Sequence, residues 1–163
     1  MSINIRIKGI KMEDFTNYKR PSMYIAFPSC TFKCERECGQ NICQNSSLVQ
    51  APILETGVKS IVNQYINNPI TSAIVIAGLE PFDSEEDLLT LVSYLRISTQ
   101  DDIVIYTGYT KEEIKDREIY KYLLKAKNII IKFGRYIPHQ QPHYDPVLGI
   151  NLASENQYAE VIS

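Results

Sequence analysis

The chain has 163 residues, and its 17 basic and 19 acidic side chains give a formal net charge of −2 at neutral pH. These charges are interleaved, without the basic block that is typical of proteins whose main partner is nucleic acid. No apolar run approaches the roughly eighteen residues of a membrane span, and the N-terminus lacks the unbroken apolar core of a signal peptide. Because no repeat or linker interrupts the chain, we expect one domain over 1–163. The charge pattern and the missing apolar segments predict a cytoplasmic protein with neither nucleic acid nor a membrane as partner.

Strand and helix patterns alternate along the chain, beginning at the N-terminus. Apolar and polar residues alternate over 3–7, as in a half-exposed strand, and 23–27 is an apolar run that leads into a cysteine-rich segment. Apolar residues at helical spacing predict a helix over 55–66. The β-branched run 72–78 is apolar on both faces and predicts a buried strand of a parallel sheet that is covered by helices.

The pattern continues to about residue 134. A helix that Asp83 or Ser84 caps is predicted next, followed by a strand over 102–108. One or two helices over 110–127 and a strand over 128–134 complete the alternation. The predicted core face of the capped helix contains Leu88, Leu89, Leu91, Val92 and Leu95. From Arg135 onward the chain is rich in Pro, His, Gln and Asn, and we expect it to be mostly loop, with solvent-facing histidines at 139 and 143.

This alternation predicts an α/β fold with a mainly parallel sheet. Four to six strands are too few for a closed eight-stranded barrel, so we expect a partial (β/α) barrel or an open sheet. Unusual residues directly follow three of the predicted strands, at the cysteines, at Gly78-Leu79-Glu80 and at Thr107-Gly108. Because the carboxyl ends of parallel strands share one edge, these residues are predicted to line one pocket.

All four cysteines lie in the segment 28–46, at positions 30, 34, 38 and 43. Structural disulfides are the weaker interpretation, because the cytoplasm keeps thiols reduced. Thiolates bind zinc or iron–sulfur clusters, and the spacing here is also compatible with a four-cysteine zinc site. The C-x2-C-x2-C run of ferredoxin-type electron carriers is absent.

Two further motifs allow a binding or a structural interpretation. Gly78 ends a buried strand and permits close approach of a ligand, and Glu80 at the same edge can accept hydrogen bonds from an ammonium group. Glu80 can equally be a carboxylate beside a helix start. Thr107 and Thr110 can bind a ligand, although a capping box with TKEE explains Thr110.

Together these motifs resemble small radical S-adenosylmethionine enzymes, above all the activating proteins of anaerobic ribonucleoside-triphosphate reductases. The resemblance extends in the same order from about Glu13 to Val161. Its motifs are Cys30-x3-Cys34, Cys43-Gln44-Asn45, Gly78-Leu79-Glu80-Pro81, the segment IVIYTGYTKEEI, the segment IIIKFGRYIP, and a closing SxNQ signature at Ser154, Asn156 and Gln157.

The resemblance implies that three cysteines hold a [4Fe–4S] cluster and leave one iron open to S-adenosylmethionine. Cys30, Cys34 and Cys43 are the implied ligands, because Cys43 keeps the Cys-x-Asn ending of the family, and Cys38 is the alternative to Cys43. Gly78, Glu80, Thr107 and Asn45 are the implied contacts of S-adenosylmethionine. The chain departs from the family in having no x2 cysteine spacing, in Gln44 where an aromatic is usual, and in Leu79 where a second glycine is usual.

The implied activity is that of an activase. An external reductant supplies one electron, the sulfonium bond of S-adenosylmethionine is cleaved, and the 5′-deoxyadenosyl radical takes a hydrogen atom from a glycine of the large reductase subunit. Two alternatives stay open. One is a small radical enzyme that acts on a small molecule, and the other is a non-catalytic α/β module in which four cysteines bind zinc.

Overall fold

A computed structural model describes residues 3–29 and 50–163 of the chain. The strands in these ranges are β1 (Asn4–Ile7), β2 (Gly9–Asp14), β3 (Ser22–Phe27), β4 (Leu54–Gly57), β5 (Ala73–Gly78), β6 (Asp102–Tyr106), β7 (Ile129–Phe133), β8 (His143–Asp145), β9 (Ile150–Leu152) and β10 (Tyr158–Val161). The helices are α1 (Val58–Ile66), α2 (Glu85–Ser98), α3 (Lys111–Ile114) and α4 (Glu118–Ala126), with a single 3₁₀ turn at Pro81–Asp83. None of the helices in the described ranges combines the length and apolar composition that crossing a membrane requires.

Six strands form one open sheet in the order β10-β7-β6-β5-β3-β2. The four inner strands β3, β5, β6 and β7 are parallel to one another, whereas the edge strands β2 and β10 are antiparallel to their neighbours. Because β2 and β10 are the two ends of the sheet, the described strands do not close into a barrel. The open, mainly parallel sheet predicted from the sequence is thus confirmed.

The two faces of the sheet are covered differently. On one face, residues such as Ile74 and Ile103 pack against the apolar sides of α1, α2 and α4. On the other face, Val75 and Val104 pack against Tyr18 and against Leu148 and Leu152 of the β8–β9 region. The prediction that helices cover the sheet was therefore right for one face only. A strand that is apolar on both faces needs a second covering layer, but that layer need not be helical.

Several predicted boundaries were wrong, and strand pairing explains most of them. Residues 54–57 form β4, which pairs antiparallel with β1, so α1 begins at Val58 rather than Glu55. Strand β2 was not predicted, because its mixed composition hides an edge strand that β3 holds in place. The C-terminal segment is mostly loop, as predicted, but it also contains the short strands β8, β9 and β10, and His143 lies in β8 rather than in a loop.

Helix α2 begins where the sequence predicted, but its start is stabilised differently. Ser84 occupies the N-cap position and its side chain makes no capping hydrogen bond, while Asp83 accepts a hydrogen bond from the Tyr109 hydroxyl at 2.6 Å. On the predicted core face of α2, Leu88, Leu91, Val92 and Leu95 are fully buried. Leu89 is 41% exposed and does not belong to that face.

Arg96 at the end of α2 holds the edge of the sheet that lies opposite the candidate site. Its guanidinium donates to the carbonyl oxygens of Ala126, Lys127, Thr99 and Asp101 at 2.7 to 3.0 Å, and more weakly to that of Asn128. Lys127 and Asn128 have positive φ angles of 69° and 55°, which turn the chain sharply from α4 into β7. The planar guanidinium thus joins the ends of two helices to the beginnings of β6 and β7.

We expect Arg96→Ala to lower the free energy of unfolding by about 2–3 kcal/mol, because several carbonyl oxygens lose a charged donor. Arg96→Lys should recover less than half of this loss, since one ammonium cannot reach carbonyls in several directions. Anaerobic urea denaturation measures both. Arg20, which is 3.9 Å from Asp102 and largely exposed, offers the matched control, and its change to Ala should cost less than about 0.5 kcal/mol. Equal losses at positions 96 and 20 would contradict this role for Arg96.

Candidate functional site

The GLEP segment lies beside the point where the chain enters the cysteine-rich segment. Beyond the paired strands β3 and β5, the Leu79 N–H donates to the Phe27 carbonyl oxygen at 3.1 Å, and the Glu80 N–H donates to that of Ser29 at 2.7 Å. Ser29 directly precedes Cys30. The four cysteines, Asn45 and Gln44 lie outside the described residues, so their predicted roles stay predictions.

Gly78 allows a close approach of the neighbouring strand β3, whereas its predicted contact with a ligand stays a prediction. Its φ angle is +92°, and a Cβ atom at this position would lie 2.4 Å from the Phe27 backbone nitrogen. Any other residue would therefore push β5 away from β3 at the carboxyl edge of the sheet. Leu79, which follows, is half-buried.

Glu80 is buried and joins the ends of two neighbouring strands. Its carboxylate accepts hydrogen bonds from the Thr107 hydroxyl at 2.9 and 3.0 Å and from the Gly108 N–H at 2.7 Å, both after β6. It also accepts from the Phe82 N–H at 3.0 Å, which starts the 3₁₀ turn. Glu80 thus stands beside a helix start, as one interpretation predicted, and its carboxylate also joins the GLEP and TGYT motifs at the edge of the sheet.

Burial raises the pKa of Glu80 to about 7, and the negative charge of Asp83 adds to that rise. The hydrogen bonds from Gly108, Phe82 and Thr107 act in the opposite direction and favour the carboxylate. A cationic group placed beside Glu80 would lower this pKa, since it favours the charged form. The site is therefore suited to receiving an ammonium group.

Lys132, at the carboxyl end of β7, is a charged residue of this edge that the sequence analysis missed. It is 7% exposed, and among the described residues its ammonium donates one hydrogen bond, to the Gly134 carbonyl oxygen at 3.0 Å. The nitrogen lies 5.6 Å from the centre of the Tyr106 ring. Burial lowers the pKa of Lys132 to about 8, and the charge of Glu80 opposes that lowering. A lysine at an inward position of an otherwise apolar strand was the available signal.

Tyr109 extends the site on the helix side of the edge. Its ring lies 4.8 Å from the Arg117 guanidinium carbon and 5.7 Å from that of Arg135. Arg135 pairs with Glu113 at 2.6 Å, and Glu113 completes the predicted capping box with Thr110. Thr110 is therefore a helix cap, as the sequence predicted, whereas Thr107 faces Glu80.

The closing SxNQ signature folds against the Gly134 turn. The Gln157 side-chain oxygen accepts from the Ser154 N–H at 3.1 Å, and its amide nitrogen donates to the Gly134 carbonyl oxygen at 3.2 Å. The Asn156 amide donates to the Arg135 carbonyl oxygen at 2.7 Å and its oxygen accepts from the Ser154 hydroxyl. The signature thus holds the end of β7 in place. Gly134 has a φ of +104°, and Asn156 lies against the position that a Cβ atom would occupy there.

The chain matches the family described as the 4Fe-4S single cluster domain over residues 19–157. The matched range covers most of the 163 residues and runs from before the first cysteine to the end of the SxNQ signature. The chain belongs to this family. Membership supports iron–sulfur binding through a [4Fe–4S] cluster and is compatible with a redox enzyme. A comparison with the curated proteins finds no match.

The described residues of this 4Fe-4S single cluster domain offer no alternative to the cysteines as cluster ligands. No group of three or more His, Cys, Asp or Glu side chains comes together within 3–29 and 50–163. The thiols at 30, 34, 38 and 43 therefore remain the donor set whose chemistry fits an iron–sulfur cluster.

We expect Glu80→Gln to lower the free energy of unfolding by about 1–3 kcal/mol, because an amide NH2 replaces one of two acceptor oxygens and faces a buried N–H. Thr107→Val should cost about 1–3 kcal/mol, because it removes a hydroxyl that donates to Glu80 and accepts from the buried Tyr109 N–H, and Thr107→Ser should stay close to wild type. Anaerobic chemical denaturation gives the three values. A glutamine variant as stable as wild type would show that the buried carboxylate does not hold β5 and β6 together.

Lys132 predicts a pH dependence at alkaline pH. Its pKa is lower in the folded than in the unfolded protein, so the unfolded state binds more protons between pH 8 and 10.5 and the stability contribution rises with pH in that window. Relative to Lys132→Met, wild type should gain about 2–3 kcal/mol of unfolding free energy from pH 7.5 to 10.5. The exposed Lys121 provides the control, since its change to Met should leave the difference constant. A constant difference for Lys132→Met as well would contradict the burial of a titrating amine.

Proposed function

We propose that this protein is a radical S-adenosylmethionine activase that generates a glycyl radical on the large subunit of an anaerobic ribonucleotide reductase. The observation that carries the proposal is the Glu80 contact with Thr107 and Gly108, because it brings the GLEP and TGYT motifs together beside Ser29, where the cysteine segment begins. Family membership supports the cluster. The substrate follows from the motif resemblance described above.

The proposed ligands of the [4Fe–4S] cluster are Cys30, Cys34 and Cys43, with Cys38 as the alternative to Cys43. Three thiolates leave one iron without a protein ligand, and an amino acid group can bind there. When bound, the cluster would supply the one electron, taken from an external donor, that reductive cleavage of S-adenosylmethionine requires, and the hydrogen atom removed from the partner glycine would pass to the 5′-deoxyadenosyl group.

The protein's own residues bind and orient the substrate. Glu80 receives the ammonium of the methionine moiety, and Thr107 and Gly108 hold the carboxylate in its orientation. Gly78 lets the ligand approach the sheet edge, and Asn45 contributes from the cysteine segment. The apolar, buried surroundings of Glu80 exclude water, and this exclusion strengthens the charge contact.

Two other functions make different predictions. A radical enzyme that acts on a small molecule would cleave S-adenosylmethionine without a protein partner. A zinc module would hold one ion through four thiolates and carry out no chemistry. Membership in the 4Fe-4S family favours the cluster over zinc.

The decisive experiment is anaerobic reconstitution followed by turnover. We expect iron and sulfide in a ratio that fits one [4Fe–4S] cluster, a brown protein, and reductant-dependent formation of methionine and 5′-deoxyadenosine. A glycyl radical signal on a co-purified reductase subunit in electron paramagnetic resonance tests the partner. A colourless protein that contains one zinc and no iron would contradict the proposal, and cleavage without a radical on the subunit would favour the small-molecule alternative.

Single Cys→Ser changes assign the ligands. We expect the changes at 30, 34 and 43 to abolish the visible absorption of the cluster, because each removes one of three thiolates, and the change at 38 to retain it. Loss at 38 together with retention at 43 would exchange the roles of these two cysteines.

A further inference from the structure

Lys8, between β1 and β2, contacts the chain on both sides of the segment 28–46 that carries the four cysteines. Its backbone N–H donates to the Ala26 carbonyl oxygen at 2.7 Å, and its ammonium donates to the Ala51 carbonyl oxygen. Ala26 precedes the first cysteine, Cys30, in the chain, and Ala51 follows the last, Cys43. One residue thus bridges the chain before the cysteines and the chain after them.

Strand β1, which ends at Ile7 directly before Lys8, is itself firmly anchored. β1 pairs along its whole length with β4, the first described strand after the cysteines, with Ile5 opposite Thr56 and Ile7 opposite Leu54. Ile5 and Ile7 are buried in the main core, and the Ile3 carbonyl oxygen accepts from the N–H of Val58 at 2.9 Å. The Lys8 backbone is therefore a fixed point from which its side chain reaches Ala51.

Fixing both ends of a segment lowers the conformational entropy that ordering its ligands would otherwise cost. The bond from an ammonium to a carbonyl oxygen is charge-assisted and stronger than a neutral one. We infer that Lys8 is a positioning residue for the cluster, which it stabilises by holding the two ends of the cysteine segment together. This inference rests on the part of the proposed function in which those cysteines hold the cluster.

The test compares the rate of cluster loss in the reconstituted full-length protein. An iron chelator is added anaerobically, and the visible absorption is followed in wild type and in Lys8→Met. We expect loss about tenfold faster in the variant, the effect of one partly exposed charge-assisted hydrogen bond. Lys8→Arg keeps a charged donor and should restore a rate close to wild type. Lys8→Gln, which is too short to reach Ala51, should behave like Lys8→Met and serves if the methionine variant folds poorly.

Lys11 is the matched control, because it lies on the neighbouring strand β2, its side chain is 63% exposed, and its ammonium lies 3.5 Å from Asp14. Lys11→Met should lose its cluster at the wild-type rate. Far-ultraviolet circular dichroism during chelation separates positioning from general destabilisation, since we expect the helical signal to persist while iron leaves. The electron paramagnetic resonance spectrum of the reduced cluster provides a second readout, and its lines should broaden in Lys8→Met.

The outcomes separate the two proposals. A wild-type protein that takes up no iron and sulfide contradicts the proposed function and this inference with it. A stable wild-type cluster with equal rates of loss in wild type, Lys8→Met and Lys8→Gln overturns the role of Lys8 alone. Parallel loss of iron and helical signal also overturns it, because Lys8 would then stabilise the fold and not the cluster.

Discussion

The buried carboxylate of Glu80 holds the carboxyl ends of β5 and β6 together, and the arrangement of the candidate site depends on this contact. The inner strands are parallel, so their ends share one edge, but parallel pairing alone does not fix the loops that follow. Glu80 fixes them by accepting the N–H of Gly108 and the hydroxyl of Thr107, while its own N–H donates to Ser29. Three distant parts of the sequence thus meet at one residue, through its side chain and its backbone N–H.

The same edge carries a cost in stability. Glu80 and Lys132 are both buried. Burial raises the pKa of Glu80 and lowers that of Lys132, so it favours the uncharged form of each. Buried ionisable groups with shifted pKa values concentrate at functional sites, since ligand binding can use charges that the apoprotein leaves incompletely satisfied. At the opposite edge of the sheet burial also lowers the pKa of Arg96, but its guanidinium donates to several carbonyl oxygens there. One edge thus carries the candidate site, whereas the other carries the contacts that join the helix ends to the sheet.

The sequence predicted the inner elements best. The β-branched runs that form β5 and β7 are long enough for their composition to identify them as strands. The capping box at Thr110 is a local interaction, so the sequence could predict it. The sequence did not predict β2, a six-residue edge strand of mixed composition, or β4, a four-residue strand that pairs with the distant β1. Pairing energy there outweighs local preference, and a single sequence does not reveal the partner.

The sequence by itself determined the donor set of four thiols, the order of the motifs and the membership in a 4Fe-4S family, because residue identity and order carry that information. Only the tertiary structure decided that Thr107 faces Glu80, that Lys132 is buried and that Lys8 reaches Ala51. Each of these depends on where strands distant in sequence are placed beside one another. Hydrogen bonding and burial depend on that placement, whereas the pattern of a sequence is local.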